Sequence, residues 1–188
     1  AVGMLAGLWT AGRRAPLTGV PSANVSDVGL WLIIGAVLGA RILYVATYWR
    51  ESFAGQPIWE VFMIQRGGLV FYGGLIGASL ACIAYCRRQK LALWKLADVL
   101  APSIALGYVF GRMGCLMNGC CLGVPTASWL GIWMPGHAEG PLMPVQLIES
   151  ACLLILYVIL RSLQIPSVLR CPGALLGAYL IGYGAIRL

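Results

Sequence analysis

The segment Val28–Tyr48 carries a single charged side chain, Arg41, in a run otherwise made of apolar, hydroxyl-bearing and glycine residues. As a helix it rises about 30 Å, the thickness of a bilayer's hydrocarbon core. Further apolar segments cover Ala1–Thr10, Gly67–Cys86, Leu96–Met117, Val145–Leu160 and Gly173–Leu188. In lipid each must satisfy its own backbone N–H and C=O groups, which a helix does. The sequence therefore predicts an all-α, multi-pass transmembrane helical bundle with about six spans, the first and last of them truncated. Because the chain starts at Ala1 already inside an apolar stretch, residues 1–188 are expected to be one transmembrane domain, a fragment lacking both natural termini.

Composition closes off other classes. With 60% apolar and 10% charged residues the chain is unlike a soluble domain. The formal charge of +7 comes without a basic stretch interleaved with aromatics, so no nucleic-acid partner is expected. Instead Arg13, Arg14, Arg87, Arg88, Lys90, Lys95, Arg161 and Arg170 fall on alternate connections, which places those connections on the cytoplasmic side. The remaining connections, 49–66 and 118–144, carry Trp49, Trp59, Trp129 and Trp133, suited to an interfacial belt on the opposite side. The second is rich enough in glycine and proline to be irregular. Glycines four residues apart, as in Gly35/Gly39, Gly73/Gly77, Gly107/Gly111 and Gly173/Gly177, suit close helix packing.

Arg41, Asp98, Arg112 and Glu149 lie in or beside apolar spans, where a charge costs on the order of 3 kcal/mol at a helix centre, so each should face the protein interior or a wet cavity. For Arg41 the alternatives are a functional site, snorkelling, or a buried pair with Glu149 or Asp98. Arg112 sits in Gly111-Arg112-Met113-Gly114-Cys115-Leu116-Met117-Asn118-Gly119-Cys120-Cys121-Leu122-Gly123, near a helix end and among glycines that admit a ligand. A guanidinium there suits an anion, which it grips by two parallel hydrogen bonds, and beside a bilayer that anion is a lipid phosphate. Tyr72, between glycine pairs in Arg66–Gly77, is either a belt aromatic or a head-group contact.

The seven cysteines are odd in number and sit mostly in or beside apolar segments, which argues against a disulfide scaffold. Cys115, Cys120 and Cys121 leave open a rival reading as a thiol-redox or metal-binding protein. No CxxC pair occurs, and a metal would need a further ligand such as His137, so no metal site is expected from spacing.

Five stretches resemble the prolipoprotein diacylglyceryl transferase family. Gly39-Ala40-Arg41 with Tyr44 is similar to its second-span motif, and Gly67–Gly77 to its paired-glycine stretch. Gly111–Gly123, continuing into Pro125-Thr126, resembles the family signature, and Pro144-Val145-Gln146-Leu147-Ile148-Glu149 the stretch that follows. Tyr183-Gly184-Ala185-Ile186-Arg187 resembles the start of the last conserved span. The resemblance implies transfer of the diacylglyceryl group from phosphatidylglycerol to the lipobox cysteine thiol of a prolipoprotein, forming a thioether and releasing glycerol phosphate. It implies a membrane-embedded enzyme of the bacterial inner membrane, with its site toward the extracytoplasmic side and no cofactor.

By the same resemblance Arg112 and Tyr72 are the catalytic candidates, and Arg112, Arg41, Asn118, Gly119, Gly123, Gln146, Glu149 and Arg187 bind substrate. Departures from the family pattern are Tyr72 and Met143, where histidine is usual, and Cys115 and Cys120, where asparagine and glutamate are. In the expected reaction a substrate thiolate attacks the glycerol carbon while Arg112 stabilises the departing phosphate. Tyr72 is the positional base or a head-group anchor, Glu149 an alternative base, and His137 a solvated loop residue. An inactive lipid-binding homologue or a transporter is the alternative from another class.

Overall fold

The computed structural model of the chain describes residues 2–55, 57–64, 67–133 and 140–188. Among the described residues seven α-helices follow one another, α1 (Val2–Arg14), α2 (Ser22–Thr47), α3 (Phe71–Arg88), α4 (Leu93–Met117), α5 (Val145–Ser162), α6 (Pro166–Leu169) and α7 (Ala174–Arg187). Each of the six apolar segments holds one of them, and the described residues contain no strand. By length and composition α2, α4 and α5 suffice to cross a membrane, and α7 is a shorter apolar helix. The chain divides into two compact units, one of Ala23–Leu93 and the other of Ala1–Ser22 with Trp94–Leu188.

In the Ala23–Leu93 unit, α2 and α3 approach closely where both carry glycine. A Cβ added at Gly35 would meet the Gly77 carbonyl at 2.6 Å and the Ala81 Cβ at 2.6 Å, and one at Gly73 would meet the Leu43 Cβ at 2.6 Å. Backbones at that separation gain the dispersion contacts that hold helices together in lipid. The outer face of α2 is apolar, with Ile34, Leu38 and Ile42 at 50%, 55% and 68% exposure. That stripe at four-residue spacing looks outward while Arg41 is buried, the reverse of a soluble helix and the arrangement a lipid solvent favours.

The larger unit has the same inside-out character. Asp98, Ser103, Gln146, Glu149 and Ser150 are buried, whereas Leu154, Ile155, Val158 and Ile159 of α5 are exposed. Its core gathers Ala105, Leu156, Leu160 and Leu175, with Tyr179, Tyr183 and Ile186 packed against them. Gly3 and Gly7 bring α1 against α4, where the Thr10 and Ser103 hydroxyls meet at 3.3 Å. Of the remaining four-residue glycine pairs, Gly111 and Gly177 face open space.

The connection after α4 doubles back on itself as an irregular ribbon. Ile132 and Leu142 exchange N–H···O bonds of 3.0 and 2.9 Å, and the Thr126 N–H donates to the Pro141 carbonyl at 2.9 Å. It thereby delivers the chain to Pro144 and the first turn of α5.

Candidate functional site

The site forms where the end of α4 meets the start of α5 and the end of α7. Arg112 is one turn and a half from the α4 terminus, Glu149 lies in the second turn of α5, and Arg187 in the last turn of α7. Arg112 Nη2 pairs with Glu149 Oε2, and Arg187 Nη1 stands 3.6 Å from the same oxygen. Side-chain exposure is 14% for Arg112, 5% for Glu149 and 55% for Arg187. One carboxylate between two guanidiniums leaves the trio with a net charge of +1.

That charge comes with unmet hydrogen-bonding capacity. Arg112 Nε, Glu149 Oε1 and Gln146 Oε1 are buried side-chain atoms without a hydrogen-bond partner among the described residues. Leaving such a group unpaired costs about 1–3 kcal/mol, and more for charged ones, so orphans gathered at one place mark a place built for something else to bind. Tyrosines frame it. Arg112 lies 5.5 Å over the Tyr108 ring, and the Tyr183 hydroxyl donates to that of Tyr108 at 3.3 Å. Each arginine has a tyrosine four residues before it, Tyr108 before Arg112 and Tyr183 before Arg187, so both pairs share a helix face. Sequence reading passed over Tyr108, although that spacing was the signal for it.

A glycine shapes the end of α4. The Gly119 N–H donates to the Leu116 carbonyl and the Cys120 N–H to the Cys115 carbonyl, both at 3.1 Å, with Gly119 at φ +65. These are the two bonds of a Schellman end, which needs a left-handed residue where glycine alone is unstrained. The fold-back carries Cys120 to Cys115, and their sulfurs and that of Cys121 all lie within 4.8 Å of one another. Hydrogen bonding from Cys115 holds the Cys120 thiol below its ordinary range. Cys121 is itself left-handed at φ +58, a conformation that costs a non-glycine residue about 1–2 kcal/mol. The spacing of these cysteines predicted no metal site, because the Schellman turn is what converts it into proximity.

Gln146, 1% exposed, donates from Nε2 to the Cys120 carbonyl at 2.8 Å, tying this loop to the helix face that bears Glu149. Gly123 serves packing, since a Cβ there would collide with the Met143 carbonyl and reach Val145 Cγ2 at 2.5 Å. Asn118 and Gly119 are exposed beside the loop.

The other sequence candidates lie in the Ala23–Leu93 unit. Arg41 is 8% exposed, and its five N–H groups go to main-chain carbonyls: Nε to Val61 at 2.8 Å, Nη1 to Gly67 at 2.8 Å and Gly68 at 3.1 Å, Nη2 to Glu60 at 2.8 Å and Met63 at 3.3 Å. Here the guanidinium stands as a clamp on the segment that precedes α3. Tyr72 is 69% exposed in the first turn of α3, edge-on to Phe71. His137 lies outside the described residues.

The sequence model of the prolipoprotein diacylglyceryl transferase family matches residues 1–188. The phosphatidylglycerol–prolipoprotein diacylglyceryl transferase of Rhodospirillum rubrum is 34% identical over 194 residues, covering 100% of this chain and 70% of the relative. The proteins of that name from Photobacterium profundum and Synechococcus elongatus are 37% and 32% identical, covering 99% and 98% of this chain and 70% and 67% of theirs.

Proposed function

Because the chain belongs to the prolipoprotein diacylglyceryl transferase family, we propose that it transfers the diacylglyceryl group of phosphatidylglycerol to the lipobox cysteine of a prolipoprotein. The observation that carries this reading is the Arg112–Glu149–Arg187 trio. Its net +1 charge matches the single negative charge of a phosphodiester, and the unpaired Arg112 Nε is a charge-assisted donor for a phosphate oxygen.

Substrate sulfur attacks the glycerol carbon, the C–O bond breaks, and the electron pair leaves on a phosphate that becomes a monoester with a second negative charge. Arg187, more than half exposed and looser than Arg112, is free to move toward that charge as it develops. Stabilisation aimed at developing charge rather than at the ground state is what accelerates the step. Tyr108 lies against the Arg112 guanidinium and accepts a hydrogen bond from Tyr183. Asn118 and Gly119 line the approach to the head group, Gln146 fixes the loop, and Gly123 keeps that loop against α5.

Arg41 contributes within its own unit by holding the main chain at Glu60, Val61, Met63, Gly67 and Gly68, ahead of Tyr72, whose side chain is exposed and open to a lipid head group. We infer an extracytoplasmic site in the inner membrane from the positive-inside rule, because Arg13, Arg14, Lys95 and Arg161 lie at the ends of α1, α4 and α5 remote from Arg112. The test supplies phosphatidylglycerol and a peptide with a lipobox cysteine to the protein in bilayer discs. A mass gain of one diacylglyceryl group on the cysteine is expected. An unmodified peptide, with phosphatidylglycerol still bound, would favour the inactive lipid-binding alternative.

A further inference from the structure

The transfer reaction needs a thiolate, and a free thiol with a pKa near ~8.5 is mostly protonated at neutral pH. Glu149 is already engaged by two guanidiniums. What the larger unit does hold beside that trio is sulfur. Three thiols converge within 4.8 Å on the Schellman turn, Cys121 is exposed and left-handed, and all seven cysteines are free. Gln146 joins Cys120 to the Glu149 face of α5.

Four ligands around a Zn²⁺ ion with Zn–S distances of about 2.3 Å place sulfurs roughly 3.8 Å apart. The three sulfurs need only a small contraction of the loop to reach that geometry. Three protein ligands leave the fourth position of a tetrahedral ion open, the pattern of catalytic rather than structural zinc. Thiolates select soft cations over Mg²⁺ or Ca²⁺. The unpaired, fully buried Oε1 of Gln146 is a second sign that this loop is built to meet a further group.

We propose that Cys115, Cys120 and Cys121 form a three-thiolate site for a soft divalent cation of the Zn²⁺ class, whose open position takes the substrate cysteine and delivers it as a thiolate. The proposal rests on the transferase reading above. Coordination releases the S–H proton to water, since a metal-bound thiol is deprotonated. A sulfur lone pair then forms the S–C bond at the glycerol carbon as the C–O bond to the phosphate breaks, and glycerol phosphate leaves with that bonding pair beside Arg112. The metal keeps its oxidation state throughout.

The test uses the full chain in detergent, loaded with Zn²⁺ and dialysed. About one ion per chain is expected, with at least tenfold weaker binding in Cys115→Ser, Cys120→Ser and Cys121→Ser and unchanged binding in Cys152→Ser. Because a serine variant can fail to fold, Zn²⁺ protection of three cysteines from alkylation, counted by mass, gives the same answer in the unaltered protein. With Cd²⁺ as probe, the sulfur-to-metal absorption should grow by one thiolate, from three to four, on adding a lipobox cysteine peptide, and stay unchanged with its serine counterpart. Fewer than about one ion in ten chains, binding indifferent to the three serines, a Cys–Cys disulfide in the isolated protein, or absorption that stays at three thiolates overturns the proposal. None of these readouts needs phosphatidylglycerol. A fourth thiolate without lipid transfer to the peptide would bring down the transferase reading and leave the metal site standing.

Discussion

Asp98 of α4 caps α7 in place of any residue of α7 itself: its Oδ2 accepts the Gly173 N–H at 2.7 Å, and its Oδ1 accepts that of Leu176 at 3.0 Å. The carboxylate is 2% exposed, and the helix supplies no side-chain cap of its own. A buried anion at a helix N-terminus satisfies orphan donors and meets the positive end of the dipole. The far end of the same helix carries Arg187 beside Glu149, so the cap sets where the second guanidinium of the trio lies.

Asp98→Ala should therefore destabilise the protein by about 1–3 kcal/mol, the penalty for buried donors left unpaired. Asp98→Asn retains one acceptor and should fall between. Thermal unfolding in detergent measures both, and hydrogen exchange should rise first in the opening turn of α7. Equal stability of the alanine variant and the parent would show that water replaces the carboxylate.

Sequence reading placed six apolar segments correctly and singled out Arg112 and Glu149, because charge within an apolar run is visible without coordinates. It expected Asp98 to be a site or a partner for Arg41. Neither reading foresaw a cap, since a carboxylate on one helix and amides in another, 75 residues apart, share no local pattern. Arg41 was equally opaque, as its acceptors are main-chain carbonyls, which no side-chain sequence spells out. The thiol cluster was hidden for a related reason: Cys115 and Cys120 become neighbours only once Gly119 turns left-handed.

Arg112→Lys should retain insertion and folding but lose transfer by about 10²–10³-fold, the usual effect of removing one donor aimed at developing negative charge. Charge persists in the lysine, but the planar fork and its unpaired Nε do not. The loss should fall mainly on kcat, because the interaction strengthens as the phosphate leaves. Near-normal turnover in purified membranes would remove Arg112 from the chemistry.

Glu149→Ala should be more damaging to the fold than either arginine change. It leaves the largely buried Arg112 guanidinium without its carboxylate and close to Arg187, and breaking a buried pair costs about 3–5 kcal/mol. Glu149→Gln keeps the shape while raising the trio from +1 to +2. Its expected signature is tighter retention of phosphatidylglycerol with slower release of glycerol phosphate, measured by lipid binding and single-turnover product release. Weaker lipid retention in the glutamine variant would contradict the charge-matching argument.

Arg41→Lys tests the clamp. An ammonium has three donors where the guanidinium meets five carbonyls, so at least two of the carbonyls of Glu60, Val61, Met63, Gly67 and Gly68 lose the donor that Arg41 supplies. The lost contacts also include the faces of Tyr44 and Phe53, each 5.5 Å from the guanidinium carbon. Faster amide exchange should appear across residues 58–64 and 67–71 while α2 and the core of α3 stay protected, since Gly35, Gly73 and Gly77 hold that crossing independently. The global midpoint should fall by a few degrees, and protease should gain access to the 58–68 segment. Exchange that rises evenly over the whole Ala23–Leu93 unit would mean that Arg41 secures the helix pair itself rather than the segment leading to Tyr72.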